Sequence, residues 1–195
     1  LLRYQEENQS LQHFYSVKDI EETLPDNNLR CIHKIDDDEV FIGTSNGLCV
    51  LNVKNKIFRR IDLATLTNHQ SPRLDISKII SFNDDEIMLS TYTDGLYIYN
   101  FKNNTATHIS KFDRRNAISD NYIYDVFKDE NGSVWVATFT GLNRFENNLA
   151  RFSTINIFKN GSLLSINYFI EMNDGNILIG TESGIKVFNI EDESI

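Results

Sequence analysis

The stretch V126-FKDENGSVWVATFTGLNRFEN-N148 sets the terms of the fold. It holds an acidic Asn-Gly turn at Asp129–Gly132, the lone tryptophan at 135, a threonine at 138 and a glycine at 141. Used once, such a segment could be a site. Used repeatedly, it is the punctuation of a structural unit.

The chain repeats it. Thr44, Thr91, Thr138 and Thr181 each end an apolar run and precede a glycine and an aliphatic residue: VFIGTSNGLCVLN, IMLSTYTDGLYIYN, VWVATFTGLNRFE and ILIGTESGIKVFN. The threonines are 47, 47 and 43 residues apart. Fifteen positions before them stand Leu29, Ile76, Ile123 and Ile166, and twelve before them Ile32, Ile79, Val126 and Phe169. Four before come Val40, Ile87, Val134 and Ile177, and two before Ile42, Leu89, Val136 and Ile179. Short alternating runs between Asn/Asp/Gly turns are strand signals. A period in the forties with four short strands, A to D, marks a propeller blade. The fold expected is therefore all-β, with four-stranded antiparallel blades of about 43–47 residues.

From the phase of the repeat, residues 1–26 are the end of a preceding blade (strands C and D) plus a connection. Residues 27–70, 71–118, 119–160 and 161–195 are blades one to four, the last without a clear strand D. LLRYQEENQSLQHFYS aligns with LNRFENNLARFST, placing Leu1 on Leu142 and Arg3 on Arg144. The expectation is a partial propeller, with a closed four-bladed ring as the alternative. Helical signal is poor, and SVKDIEETLPDN at 16–27 grants one short turn at most.

In this frame Trp135 shares its column with Phe41, Met88 and Leu178 and reads as apolar filling between blades. Asp129–Gly132 aligns with the other A–B hairpins, at spacings unlike a calcium loop. The small residues Gly43, Ser90, Ala137 and Gly180 allow close approach, and the glycine after strand B suits a turn with positive φ. Cys31 and Cys49 fall on strands A and C, two strand spacings apart, and are expected to be free thiols.

DENGSVWVATFTGLNRFENN resembles the two-component regulator propeller repeat: an acidic turn, an apolar-Trp-apolar-Gly-Thr strand, then Gly-Leu and an aromatic. Ala137 stands where that pattern has Gly, and the other three copies lack the Trp. The resemblance implies a periplasmic sensor region of a hybrid two-component histidine kinase from glycan-degrading bacteria, with an oligosaccharide as ligand.

The net charge of −9 argues against nucleic acid or an anionic membrane as partner. The expected partners are an oligosaccharide, and further blades or a second copy through exposed blade edges. In an up-and-down blade the D–A loops and B–C turns share one edge, and the A–B and C–D hairpins share the other. The first edge carries the long connections 61–75, 111–121 and 153–165, where binding residues concentrate on a rigid scaffold. Arg73, Tyr92, Asp94, Arg114, Arg115 and Phe139 on that edge are the candidate ligand contacts; His69, Lys111, Asn160 and Glu182 lie beside them. No catalytic residue, metal site or cofactor is expected, because no carboxylate pair, nucleophile arrangement or His/Cys cluster stands out. The alternative functions are a protein-interaction scaffold and a propeller-type polysaccharide lyase or glycosidase.

Overall fold

Strand alternation, turn chemistry and the repeated columns act together in the computed structural model of the chain, which describes residues 1–5, 10–18, 20, 22–71, 73–146, 151–159, 162–190, 192 and 194. The chain divides into two compact units, Leu1–Ile79 and Ile80–Ile195.

The first unit opens with a hairpin, β1 (Leu2–Gln5) and β2 (Ser10–His13). Four strands follow in antiparallel order: β3 (Leu29–Lys34), β4 (Glu39–Thr44), β5 (Gly47–Asn52) and β6 (Ile57–Ile61). A five-residue helix, α1 (Leu63–Thr67), comes next, and the division falls within β7 (Ile76–Ser81). In the second unit β8 (Glu86–Thr91), β9 (Leu96–Asn100) and β10 (Thr105–Ile109) pair consecutively. A complete sheet follows, β11 (Ile123–Lys128), β12 (Val134–Thr138), β13 (Gly141–Glu146) and β14 (Arg151–Ile155). A two-residue ladder, β15 (Phe158–Lys159) with β16 (Ser162–Leu163), leads to β17 (Ile166–Glu171), β18 (Ile177–Thr181) and β19 (Gly184–Phe188).

The columns explain the register. Leu29 faces Thr44, Ile123 faces Thr138 and Ile166 faces Thr181; in each case one residue is then skipped before pairing resumes. This recurrent bulge raises local twist at the start of strand A. The threonine hydroxyl donates to the carbonyl of the glycine that follows: Thr44 to Gly47, Thr91 to Gly95, Thr138 to Gly141 and Thr181 to Gly184, at 2.8–2.9 Å. Those glycines all have positive φ, between 75° and 142°. Each B–C turn is thus locked by one hydroxyl and one residue without a Cβ.

The cores lie between consecutive sheets. In the second unit one cluster joins Met88 and Leu96 to Ile123, Val126, Val134 and Phe152, and another joins Trp135, Ala137 and Leu142 to Ile166, Phe169, Ile177, Ile179 and Phe188. In the first unit Ile42, Cys49, Leu51, Phe58 and Leu24 form a smaller cluster. A Cβ on Gly43 would come within 2.6 Å of Cys31 Sγ and 2.7 Å of Ile76 Cγ2, so that position needs glycine, whereas one on Gly180 in the same column would meet nothing closer than 3.8 Å. Both cysteines are free, and burial pushes their thiols up, Cys31 to about 11 and Cys49 to about 12.

The helix is where the expectation shifts. Among the described residues of 16–27 none is helical; the helical turn forms at Leu63–Thr67 instead. Asp62 caps it, its carboxylate accepting the Thr65 amide at 3.1 Å and the Thr65 hydroxyl at 2.6 Å. Those bonds hold the Asp62 carboxyl below its ordinary range.

Candidate functional site

Trp135 is fully buried, and it is packing. Its indole meets the Phe188 ring edge-on at 5.7 Å, and the Arg144 guanidinium covers it at 5.1 Å. The turn acid before it does more than turn: the indole Nε1–H donates to Asp129 Oδ2 at 2.8 Å, while Asp129 Oδ1 accepts the Ser133 amide at 2.8 Å. Sequence reasoning assigned Asp129 to the hairpin alone; its spacing of six residues from the only tryptophan was the available signal.

The other described A–B and C–D hairpins share a device, an Asn or Asp side chain accepting amides two or three residues on. Asp36, Asn83 and Asp174 do this in A–B turns, and Asn52, Asn100 and Asn189 in C–D turns. A recess of about 570 Å³ lies on this edge of the second unit, lined by Asn83, Asp84, Asp85, Glu86, Asn100 and Lys128. Its cation is committed, Lys128 Nζ donating to the Phe82 carbonyl at 2.9 Å, and Asp85 is paired with Lys102.

The opposite edge differs at each connection. In the second unit, residues 110–122 form a braced loop. Ser110 N–H donates to Asp113 Oδ2 at 2.6 Å, Lys111 N–H to Asn121 Oδ1 at 2.8 Å, and Lys111 Nζ to Asp120 Oδ2 at 3.2 Å. Asn116 Oδ1 receives the Phe152 amide at 2.7 Å, tying the loop to β14. Arg114 and Arg115 are left exposed, without a salt bridge among the described residues, and Phe112 is 77% exposed.

Beside this loop an aromatic row assembles. The Tyr92 and Tyr122 rings are 6.3 Å apart, and Tyr122 and Tyr124 are 5.3 Å apart. Phe139, 55% exposed, is anchored by its amide donating to the Tyr122 carbonyl at 3.0 Å. Tyr124 is the residue skipped at the β11 bulge, so it leaves the strand's alternation. Tyr92 and Phe139, the sequence candidates, are thus linked through Tyr122, which meets the Tyr92 ring and holds the Phe139 amide, with Tyr124 against its other side. Tyr92 and Phe139 occupy the same column, one residue after Thr91 and Thr138, whereas Tyr122 and Tyr124 come from the start of strand A, so no single spacing links all four.

The other expected contacts are already engaged. Asp94 Oδ2 accepts the Tyr97 hydroxyl at 2.6 Å, and its carbonyl oxygen lies 2.7 Å from His108 Nε2. Burial first, then that bond to Asp94, pushes the Tyr97 phenol upward. Arg73, in the first unit, donates through Nε to the Ser45 carbonyl at 2.9 Å and stands 3.8 Å from Asp75. Asn160 lies outside the described residues, and Glu182 is exposed on its turn.

Residues 117–140 match the sequence profile of the family described as two component regulator propeller. No curated protein matches the chain. Among solved structures it is similar to an extracellular domain assigned to a hybrid two-component system of B. thetaiotaomicron, with TM-score 0.73 and 21% identity, covering 97% of this chain and 24% of that one. A second extracellular domain from that organism, assigned to a one-component system, gives TM-score 0.73 and 23% identity over 95% of this chain and 23% of that one. The WD40 β-propeller domain of Doa1 gives TM-score 0.59 at 9% identity, over 83% of this chain and 51% of that one. The chain spans about a quarter of the two extracellular domains. Residues 117–140 therefore carry a two-component regulator propeller repeat, set in a chain that folds as blades of a β-propeller.

Proposed function

We propose that the chain is part of the ligand-sensing region of an extracytoplasmic two-component sensor, and that it binds an oligosaccharide in the periplasm. The observation that carries the reading is the meeting of Tyr92, Tyr122 and Phe139 at the end of the 110–122 loop that also exposes Arg114 and Arg115. Aromatic faces cover the apolar faces of sugar rings at small entropic cost, since each ring has only two side-chain torsions. Guanidinium groups donate in a planar fork suited to hydroxyl pairs and uronic carboxylates. Binding of this kind requires no proton transfer, so the role is recognition without turnover. The likeness to extracellular domains of B. thetaiotaomicron regulatory systems supports the sensor reading.

Titration calorimetry against a panel of neutral and uronic acid oligosaccharides tests it. The expected result is saturable binding of at least one acidic member, recovered unchanged by mass spectrometry, and weakened at least tenfold by Tyr122→Ala and by Arg114→Ala. Cleavage of the ligand, or binding unaffected by both substitutions, would contradict the proposal.

A further inference from the structure

One short segment of the second unit crosses between the two turns that carry Tyr92 and Phe139. The Asn121 carbonyl accepts the Gly95 amide at 3.0 Å, and the Tyr122 carbonyl accepts the Phe139 amide at 3.0 Å. The Thr140 hydroxyl donates to the Ser119 carbonyl at 2.9 Å. Residues 119–122 are therefore bonded to both B–C turns, and their placement sets how Tyr92, Tyr122 and Phe139 stand to one another.

That placement is fixed from below by Asn143 on β13. Its side chain is fully buried and makes all four hydrogen bonds open to an amide. Oδ1 accepts the Ser119 amide at 2.9 Å and the Thr154 hydroxyl at 3.0 Å. Nδ2 donates to Ser119 Oγ at 2.8 Å and to the Val136 carbonyl at 3.4 Å. Ser119 Oγ also lies 2.7 Å from Thr138 Oγ1, the hydroxyl that locks the B–C turn. The repeated frame does not demand an amide here. The same column holds Cys49, Tyr97 and Lys186; Cys49 and Tyr97 are buried too, the first with its thiol near the Ile42 carbonyl, the second donating to Asp94. A buried amide is costly unless every bond is made, and two of the four made here go to Ser119.

We propose that Asn143 is a positioning residue for recognition: through Ser119 it holds residues 119–122 so that Tyr92, Tyr122 and Phe139 present one preformed surface. Being fully buried, it touches no ligand itself. A surface set before the ligand arrives loses less entropy on binding. The proposal rests on the reading of this rim as the recognition surface, but the positioning is measurable without a ligand.

The test is amide hydrogen exchange of wild type and Asn143→Leu, followed by calorimetry with the uronic acid oligosaccharides at a temperature where both are folded. In Asn143→Leu the amides of Gly95, Ser119 and Phe139 are expected to exchange about tenfold faster, while those of Asp129 and Ser133, in the A–B hairpin of the same sheet, keep their wild-type rates. Affinity is expected to fall about tenfold, whereas Asp129→Ala, which disturbs the frame, leaves it within about twofold. Should Asn143→Leu fail to fold, Ser119→Ala serves, with the same pattern at about threefold. Unchanged exchange at Gly95 and Phe139, equal acceleration at Asp129 and Ser133, or a bound oligosaccharide indifferent to the substitution would overturn the proposal. If no oligosaccharide binds wild type, the sensing proposal fails, and the exchange rates alone decide whether Asn143 sets the rim.

Discussion

The two edges of the sheets are made by different rules. On the hairpin edge the described turns are closed by one kind of short side chain, an Asn or Asp that accepts backbone amides two to four residues on. On the other edge each strand D reaches the next strand A by its own route. One connection is a capped helical turn at Leu63–Thr67, one a braced loop over 110–122, and one the short ladder of β15 and β16. The repeat therefore fixes the sheets and their cores, while the largest differences between repeats lie in the connections on one rim. That is the ordinary arrangement of a rigid scaffold with variable loops.

If the comparison is right, changes in the repeated frame cost stability and changes on the variable rim cost binding. Trp135→Ala should show the largest effect, about 3–5 kcal/mol in denaturant unfolding, from emptying a large aromatic core position. Asp129→Ala follows at about 1–3 kcal/mol, since the buried indole N–H loses its acceptor. Gly43→Ala should cost about 1–3 kcal/mol through overpacking against Cys31 and Ile76. The equivalent Gly180→Ala, whose Cβ meets nothing closer than 3.8 Å, should stay within about 0.5 kcal/mol. An equal cost at both positions would break the account of crowding at Gly43.

The cysteines give a pH test. Their folded values of about 11 and about 12 stand above the ordinary 9.0, so folding favours the neutral thiol. That contribution is fully present below pH 9 and is lost as pH rises through 11 to 12, so thermal midpoints should decline across that window. Cys49→Val should flatten part of the decline. Tyr122→Ala, at the partly exposed rim, should move stability least, by less than about 1 kcal/mol.

The apolar columns before Thr44, Thr91, Thr138 and Thr181 were enough to place the strands, because burial between sheets leaves a trace at every repeat. The role of the threonine hydroxyl was not legible, as apolar patterning says nothing of a side-chain bond to Gly47 or Gly141. The helix at Leu63–Thr67 escaped notice because five residues are too few to show a period, and its determinant is the Asp62–Thr65 cap. Tyr122 was missed for a topological reason. Its neighbours Tyr92 and Phe139 come from separate repeats, so only the folded chain brings the three together.

The most direct measurement is an amide chemical-shift titration of the isotopically labelled chain with the oligosaccharide that binds best in calorimetry. Perturbations centred on Tyr92, Arg114, Tyr122 and Phe139, with Asn83–Glu86 and Asn100–Asn104 unmoved, are the predicted result. Shifts concentrated instead at the acidic recess of Asp84, Asp85 and Glu86 would contradict the assignment of recognition to the variable rim.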